Sequence, residues 1–259
     1  MESPADKRRS IILDELARNR VVKIADLSEK FDVSAVSLRR DLEYLDRLGL
    51  AKRIHGGAMA VPNVSPHEPN SLKPQSHSEE KERIGRVAAA MIDPGDHIIF
   101  DSGTTVFQVA CSVSGELLAS GNLSAITCSL PVVQALGPWK QVHLVVLGGI
   151  YLPEYQTLVG PHAIENLNGL HADKLFLGAD GITFSNGVTT ANILEAEVDR
   201  AMVRAASKVI VVSDSSKIGE IGLTTIIPLD EIDCLVTDDK VPLDFVEALR
   251  SQGIEVVLA

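Results

Sequence analysis

The chain has 259 residues, 45% of them hydrophobic and 23% charged, with a formal net charge of −11. That length exceeds one modal domain and suffices to bury a substantial core, so two parts are expected. No run reaches membrane-spanning length, the opening Met-Glu-Ser-Pro-Ala-Asp-Lys-Arg-Arg lacks the apolar stretch of a signal peptide, and Cys111, Cys128 and Cys234 show no close pairing with one another or with the histidines; membrane insertion, secretion, a disulfide framework and a zinc site are not expected, no cofactor or metal is implied, and a cytoplasmic location is.

The chain begins with an amphipathic segment at 8–16, then the β-favouring pair Val21-Val22 and a second amphipathic segment at 24–31. Only Asp32 and Val33 separate this from a third helix, predicted to start at the cap-forming Ser34 and to carry Leu38, Leu42 and Leu45 at spacings of four and three. Those leucines share a buried face. Ser37, Arg39 and Arg40 fall off it, free to reach phosphates or base edges from a major groove. Arginine suits this because its planar fork binds guanine bidentately. The plainer reading pairs Arg39 with Glu43 one turn on and leaves Arg40 solvated. After Gly49, Leu50-Ala-Lys-Arg-Ile-His55 turns through Gly56-Gly57 and returns as Ala58-Met-Ala-Val61, a β-hairpin with positive charge at its tip. Three helices and a hairpin make a winged helix-turn-helix. The DNA contacts expected are Ser34, Ser37, Arg39 and Arg40 on the recognition helix and Lys52, Arg53 and His55 on the wing, with double-stranded operator DNA as the partner.

Charge divides unevenly: residues 1–60 hold 12 Lys/Arg against 10 Asp/Glu, and 61–259 hold 12 against 25. The acidic total does not argue against DNA binding, because the local field at the helix and wing decides. Residues 62–78 include four prolines and many small polar side chains, which read as an extended linker. The expected domains are therefore 1–61, DNA-binding, and 79–259, sensing.

A helical pattern at 79–92 opens the second part. Strands are then predicted at 97–101, 124–127, 142–147, 174–178, 209–213, 234–237 and 255–258, alternating with helices such as 192–206. That rhythm implies an α/β domain with a mainly parallel sheet covered on both faces, whose ligand settles beyond the carboxyl ends of the strands. The turn Asp101-Ser-Gly-Thr-Thr105 suits an anion: Gly103 lets the backbone approach, Ser102, Thr104 and Thr105 offer hydroxyls, and a new helix presents its amides. The plainer reading makes Ser102 or Thr104 an ordinary cap. Gly148-Gly149, Asp180, Glu195 and Lys217 fall at other strand ends or the mouth. Together they describe a polyol phosphate pocket, with Lys217 on the phosphate, Asp180 accepting from hydroxyls, Asp101 on a sugar hydroxyl beside the anion or holding the turn, and Glu195 as a carboxylate near the mouth. The plainer reading of Gly148-Gly149 is a loop, and of Glu195 and Glu197 a solvated face.

Two sets of residues carry a resemblance to the DeoR family of bacterial sugar-metabolism regulators. In the first part these are Val33-Ser34, Ser37-Leu-Arg-Arg-Asp-Leu42 and Arg53-Ile-His-Gly-Gly-Ala58. In the second they are Asp101-Ser-Gly-Thr-Thr105, Gly148-Gly149, Asp173-Lys-Leu-Phe-Leu-Gly178, Glu195 and Ser213-Asp-Ser-Ser-Lys-Ile-Gly219. Ser37 and Leu38 stand where that family more often has threonine and isoleucine, and Cys128-Ser129 where it often has asparagine-serine. Among relatives the chain looks most like regulators of amino-sugar and galactitol use. The resemblance implies a sensor domain similar in fold to ribose-5-phosphate isomerase and coenzyme A transferases. It further implies a repressor of sugar-catabolism genes switched by a phosphorylated sugar or sugar derivative.

A winged-helix protein usually reads repeated half-sites, so a homo-oligomer, dimer or tetramer, is expected. The alternative function is a phosphosugar isomerase-like enzyme fused to a DNA-binding domain. Gly181-Ile-Thr-Phe184 lacks the further acid an isomerase would show beside Asp180, so binding without turnover is the expectation.

Overall fold

The computed structural model describes residues 4–19, 21–47, 51–54, 56–59 and 77–259. The chain separates into two compact units, 1–76 and 77–259.

In the first unit, α1 (Pro4–Asn19) leads through β1 (Val21–Lys23) to α2 (Ile24–Phe31) and α3 (Ala35–Arg47), followed by β2 (Lys52–Ile54) and β3 (Gly57–Met59). The turn from α2 to α3 is made by Asp32 in the left-handed region (φ 50°), which a short polar side chain tolerates, and Ser28 Oγ fastens it by donating to the Val33 carbonyl at 2.7 Å. The three strands form an antiparallel sheet in the order β1-β3-β2. Val21-Val22 thus completes the wing, and Ile24 donates its amide to the Gly56 carbonyl. Gly57 is required there because a Cβ would lie 2.0 Å from the Val22 carbonyl oxygen. Ile12, Leu16, Val22, Leu27, Leu38, Leu42, Leu45, Ala51 and Ala58 make one core.

The second unit starts with α4 (Ser78–Ala89), β4 (His97–Phe100), α5 (Thr104–Ser112), α6 (Gly115–Ser120), β5 (Ser124–Thr127), α7 (Leu130–Leu136) and β6 (His143–Val146). A hairpin follows, β7 (Ile150–Leu152) and β8 (Thr157–Val159), then α8 (Pro161–Leu167) and β9 (Ala172–Leu177). Next come β10 (Gly181–Thr183), β11 (Gly187–Thr190), α9 (Ile193–Ala205), β12 (Ala206–Val212), β13 (Thr224–Ile227), β14 (Cys234–Thr237), α10 (Leu243–Ser251) and β15 (Glu255–Leu258). Seven strands form one parallel sheet, ordered β15-β14-β12-β9-β4-β5-β6. All seven predicted strands are in it. Successive residues feed opposite faces, as a sheet covered on both sides requires. Ile98, Phe100, Phe176, Ile210 and Val212 pack with α4, α5 and α7, while Ile99, Leu175, Leu177, Val209 and Val211 pack with α8, α9 and α10.

Not predicted were the β7–β8 hairpin and a small antiparallel sheet, β10-β11-β13. Both stand over the carboxyl ends of the large sheet. Leu158 donates to the Cys128 carbonyl, which sets β8 across the end of β5. Among the described residues no helix is long and apolar enough to cross a membrane.

Candidate functional site

In the first unit, Ser34 Oγ accepts from the Ser37 amide at 3.3 Å and lies 3.1 Å from Ser37 Oγ, so the expected cap forms and ties up Ser37 locally. Leu38, Leu42 and Leu45 are buried, while Arg39 and Arg40 are exposed and make no hydrogen bond or ion pair among the described residues. The Arg39–Glu43 pairing does not form. Glu43 lies instead 3.9 Å from Arg53, whose amide donates to Asp46. Lys52 and Arg53 are exposed on β2, and His55 lies outside the described residues.

Sequence reasoning missed the support for this helix. Asp41, 1% exposed, receives Arg8 and Arg9 at 2.7 and 2.8 Å, and the Arg9 guanidinium also sits 4.1 Å from the Tyr44 ring centroid. Two guanidiniums from α1 thereby fix the inner face of α3 and leave its outer arginines for a ligand.

In the second unit the turn after β4 does not behave as an ordinary cap. Gly103 (φ 102°) is the N-cap of α5, and no side chain caps that helix. The Ser102 hydroxyl donates instead to Glu195 Oε1 at 3.2 Å. The first amides of α5 therefore keep their positive end for a ligand. Asn192 caps α9 by accepting from Leu194 and Glu195, which turns Glu195 inward at 6% exposure; Glu197 is exposed.

Asp101 is 4% exposed, with Oδ2 accepting from the Gly178 amide at 3.0 Å. Burial raises its pKa to about 6, against the lowering effect of the Gly178 and Ser102 amides and a bond to Asp199, with the Asp180 charge raising it further. Oδ1 has no donor among the described residues while both carboxyls are ionised. A proton on Asp199 supplies one, and Asp199 is pushed well up by burial and by the charges of Asp101 and Glu195. Asp199 was not foreseen, although it stands four residues after Glu195 within the buried stripe Ala196, Val198 and Met202. Tyr155, on the unforeseen hairpin, also reaches the site; burial and then the Glu195 and Asp180 charges raise its pKa, while a bond to Asn192 opposes them.

Asp180 holds the base of the small sheet, accepting from Thr190 Oγ1 at 3.1 Å and the Ala191 amide at 2.9 Å. Lys217 lies on a short 3-10 turn that Asp214 caps through the Ser216 amide and Asp238 anchors through Ser215 at 2.7 Å. The chain beyond it runs along β10: Gly219 donates to the Ile182 carbonyl, and the Glu220 carbonyl oxygen would lie 2.2 Å from a Cβ on Gly181. Lys217 is thereby brought beside the Asp180 turn, and its ammonium makes no ion pair among the described residues.

A second lysine was missed. On α4, Gly85 admits the Gln108 backbone of α5, 2.6 Å from where a Cβ would be. α4 enters β4 and α5 leaves it, so the two run the same way, and Lys81 and Thr104 stand level, one turn before that contact. Lys81 is also 3.8 Å from Asp214.

Gly148 and Gly149 are explained within the fold. The Gly148 amide donates to Asn166, and Gly149 admits the Val159 carbonyl 2.5 Å from its missing Cβ. At Cys128 the thiol lies 3.1 Å from Thr157 Oγ1, buried and pushed up by desolvation and then by the Asp101 charge.

A winged helix with free arginines, and a parallel α/β unit gathering hydroxyls, amides and cations at its strand ends, define a DNA-binding regulator with a small-molecule sensor. Residues 8–63 match the DeoR-like helix-turn-helix domain and residues 76–239 the DeoR C terminal sensor domain. The putative aga operon transcriptional repressor of Escherichia coli O157:H7 is 35% identical, covering 97% of this chain and 93% of its own. The transcriptional repressor AccR of Agrobacterium fabrum (strain C58) is 33% identical over 89% and 88%, and the HTH-type transcriptional repressor GlcR of Bacillus subtilis (strain 168) 32% over 98% and 96%. The chain belongs to the DeoR family of transcriptional regulators, and these relatives are named regulators rather than enzymes. Among solved structures, ribose 5-phosphate isomerase A of Methanocaldococcus jannaschii is 14% identical with a TM-score of 0.41, covering 55% of each chain. The full-length sorbitol operon regulator SorC of Klebsiella pneumoniae is 13% identical with a TM-score of 0.41, covering 96% of this chain and 99% of its own.

Proposed function

We propose that the protein is a cytoplasmic repressor of sugar-catabolism genes whose operator affinity is set by a phosphorylated sugar or sugar derivative bound at the strand ends of the second unit. The observation that carries this reading is the uncapped start of α5, where Ser102 is diverted to Glu195 and the amides beyond Gly103 remain for an anion. Lys217 supplies a cation without a partner of its own among the described residues, and Lys81 a second one level with Thr104. Thr104 and Thr105 supply hydroxyls to the phosphate, while the Ser102 hydroxyl stays on Glu195. Glu195, Asp180 and Tyr155 face the sugar, where carboxylates accept from hydroxyls. Gly148 and Gly149 shape the wall without contacting the effector. On the DNA, Arg39 and Arg40 read bases, while Ser34, Ser37, Lys52, Arg53 and His55 lie along the backbone.

The test is a thermal-shift screen of the full chain against sugars and their phosphates. Stabilisation by a phosphorylated compound, lost with Lys217→Ala at unchanged basal melting temperature, is the expected outcome. Equal stabilisation by the unphosphorylated sugar, or an unaffected Lys217→Ala variant, would refute the phosphate subsite.

A further inference from the structure

Among the described residues the large sheet ends at β6, and β6 uses only one of its edges. His143 and Leu147 donate to the carbonyls of Leu123 and Thr127 on the β5 side. By the alternation of a ladder, the amides of Leu144 and Val146 point away from the sheet. Gly148, next on that outward side, is satisfied by Asn166 at 3.0 Å. Open edges are ordinarily blunted by a lysine, a proline or a bulge, and His143-Leu-Val-Val146 has none of these. The opposite edge strand, β15, begins with the exposed Glu255, 3.5 Å from Lys208.

Charge singles out the same end of the molecule. Residues 61–259 contain 25 carboxylates, yet none falls between Glu116 and Glu154. That acid-free stretch supplies β5, α7, β6 and β7, and its only basic side chains are Lys140 and His143. Trp139 and Val146 are 36% and 43% exposed, and Ile150 and Tyr151 on β7, the outer strand of its hairpin, 56% and 44%. Two copies of so acidic a unit repel in most orientations, and this stretch offers a contact whose own side chains carry no carboxylate.

We propose that this end is the contact between two copies of the chain, with β6 of each pairing antiparallel about a two-fold axis perpendicular to the sheet. Two seven-stranded sheets then become one of fourteen. An antiparallel pair of identical strands is self-complementary, each copy giving the other the same amides and carbonyls. The contact is independent of the effector reading.

Sedimentation of the full chain tests it. Wild type is expected at the mass of two copies or a multiple, and Val146→Lys with Tyr151→Glu at half the wild-type mass; both positions are exposed, and an unchanged melting profile verifies folding. Leu223→Lys with Leu243→Lys, at apolar positions 73% and 74% exposed elsewhere on the unit, is expected to keep the wild-type mass. A single-copy wild type, an undivided β6 variant, or division by the Leu223 and Leu243 changes overturns the proposal. Should the β6 variant not fold, hydrogen exchange of the wild type decides. Leu144 and Val146 amides that are protected at high concentration and lose protection on dilution support the pairing; fast exchange at every concentration refutes it.

Discussion

Burial pushes the Asp101 and Asp199 carboxyls up together, and a proton shared between them would be linked to folding. Asp101 titrates at about 6 instead of 3.8 because burial disfavours its charge, and Asp199 is displaced in the same direction. A carboxyl whose pKa is raised by folding binds more protons folded than unfolded. Its contribution to stability is therefore present at low pH and is lost as pH rises through the interval from 3.8 to about 6, with Asp199 extending the loss upward. Asp199→Asn replaces the shared proton with a permanent amide donor to Asp101. The variant's melting temperature, relative to wild type, is expected to be higher at pH 8 than at pH 5; the same difference at both would refute the shared proton. On the DNA side the residue to change is Arg40, whose guanidinium is uncommitted within the described residues. Arg40→Ala is expected to weaken operator binding by about 1–3 kcal/mol and to relax specificity at one position. A loss uniform across sequences, read by anisotropy on variant operators, would make it a phosphate contact.

Helix α3 depends on charge inside as well as outside. Asp41 is buried against two guanidiniums from α1. Losing one partner of a fully buried pair costs about 3–5 kcal/mol, but Arg8 and Arg9 keep 16% and 22% of their side-chain surface in water. Asp41→Ala is therefore expected to destabilise the first unit by about 2 kcal/mol, with the second unit unaffected, by denaturant unfolding followed at each unit; a change below about 0.5 kcal/mol would make the fork a surface pair. The sequence exposed the leucine spacing of this helix but not its salt bridges, because Asp41 and Arg8 are 33 residues apart and only folding brings them together. The same distinction runs through the second unit. The seven parallel strands were legible as apolar runs ending in small or polar residues such as Asp101 and Gly178. The elements β7, β8, β10, β11 and β13 were not, being held by contacts between distant residues such as Leu158 on Cys128 and Gly222 on Thr189. Hence Ser102, Glu195 and Lys217 could be proposed from the sequence as strand-end or helix-start residues, while Tyr155, which depends on an unforeseen hairpin, could not.

Across the whole molecule, the proposed control of operator affinity requires effector binding to be worth different amounts in two states of the protein, since equal affinity shifts nothing. Each unit has its own core, with Leu38, Leu42 and Leu45 in one and the two layers around Phe176 and Leu177 in the other. Separate cores predict separate unfolding transitions in calorimetry of the full chain. A sugar phosphate at 100 times its Kd should raise the transition of residues 77–259 by the equivalent of about 2.7 kcal/mol and leave that of the winged helix in place. Asp41→Ala identifies the winged-helix transition by lowering it, and Asp199→Asn identifies the other through its pH dependence. If the effector moves both transitions together, the two cores unfold as one, and the signal passes within a single chain. If it moves one alone, the two cores unfold independently and the effector stabilises only the unit that binds it.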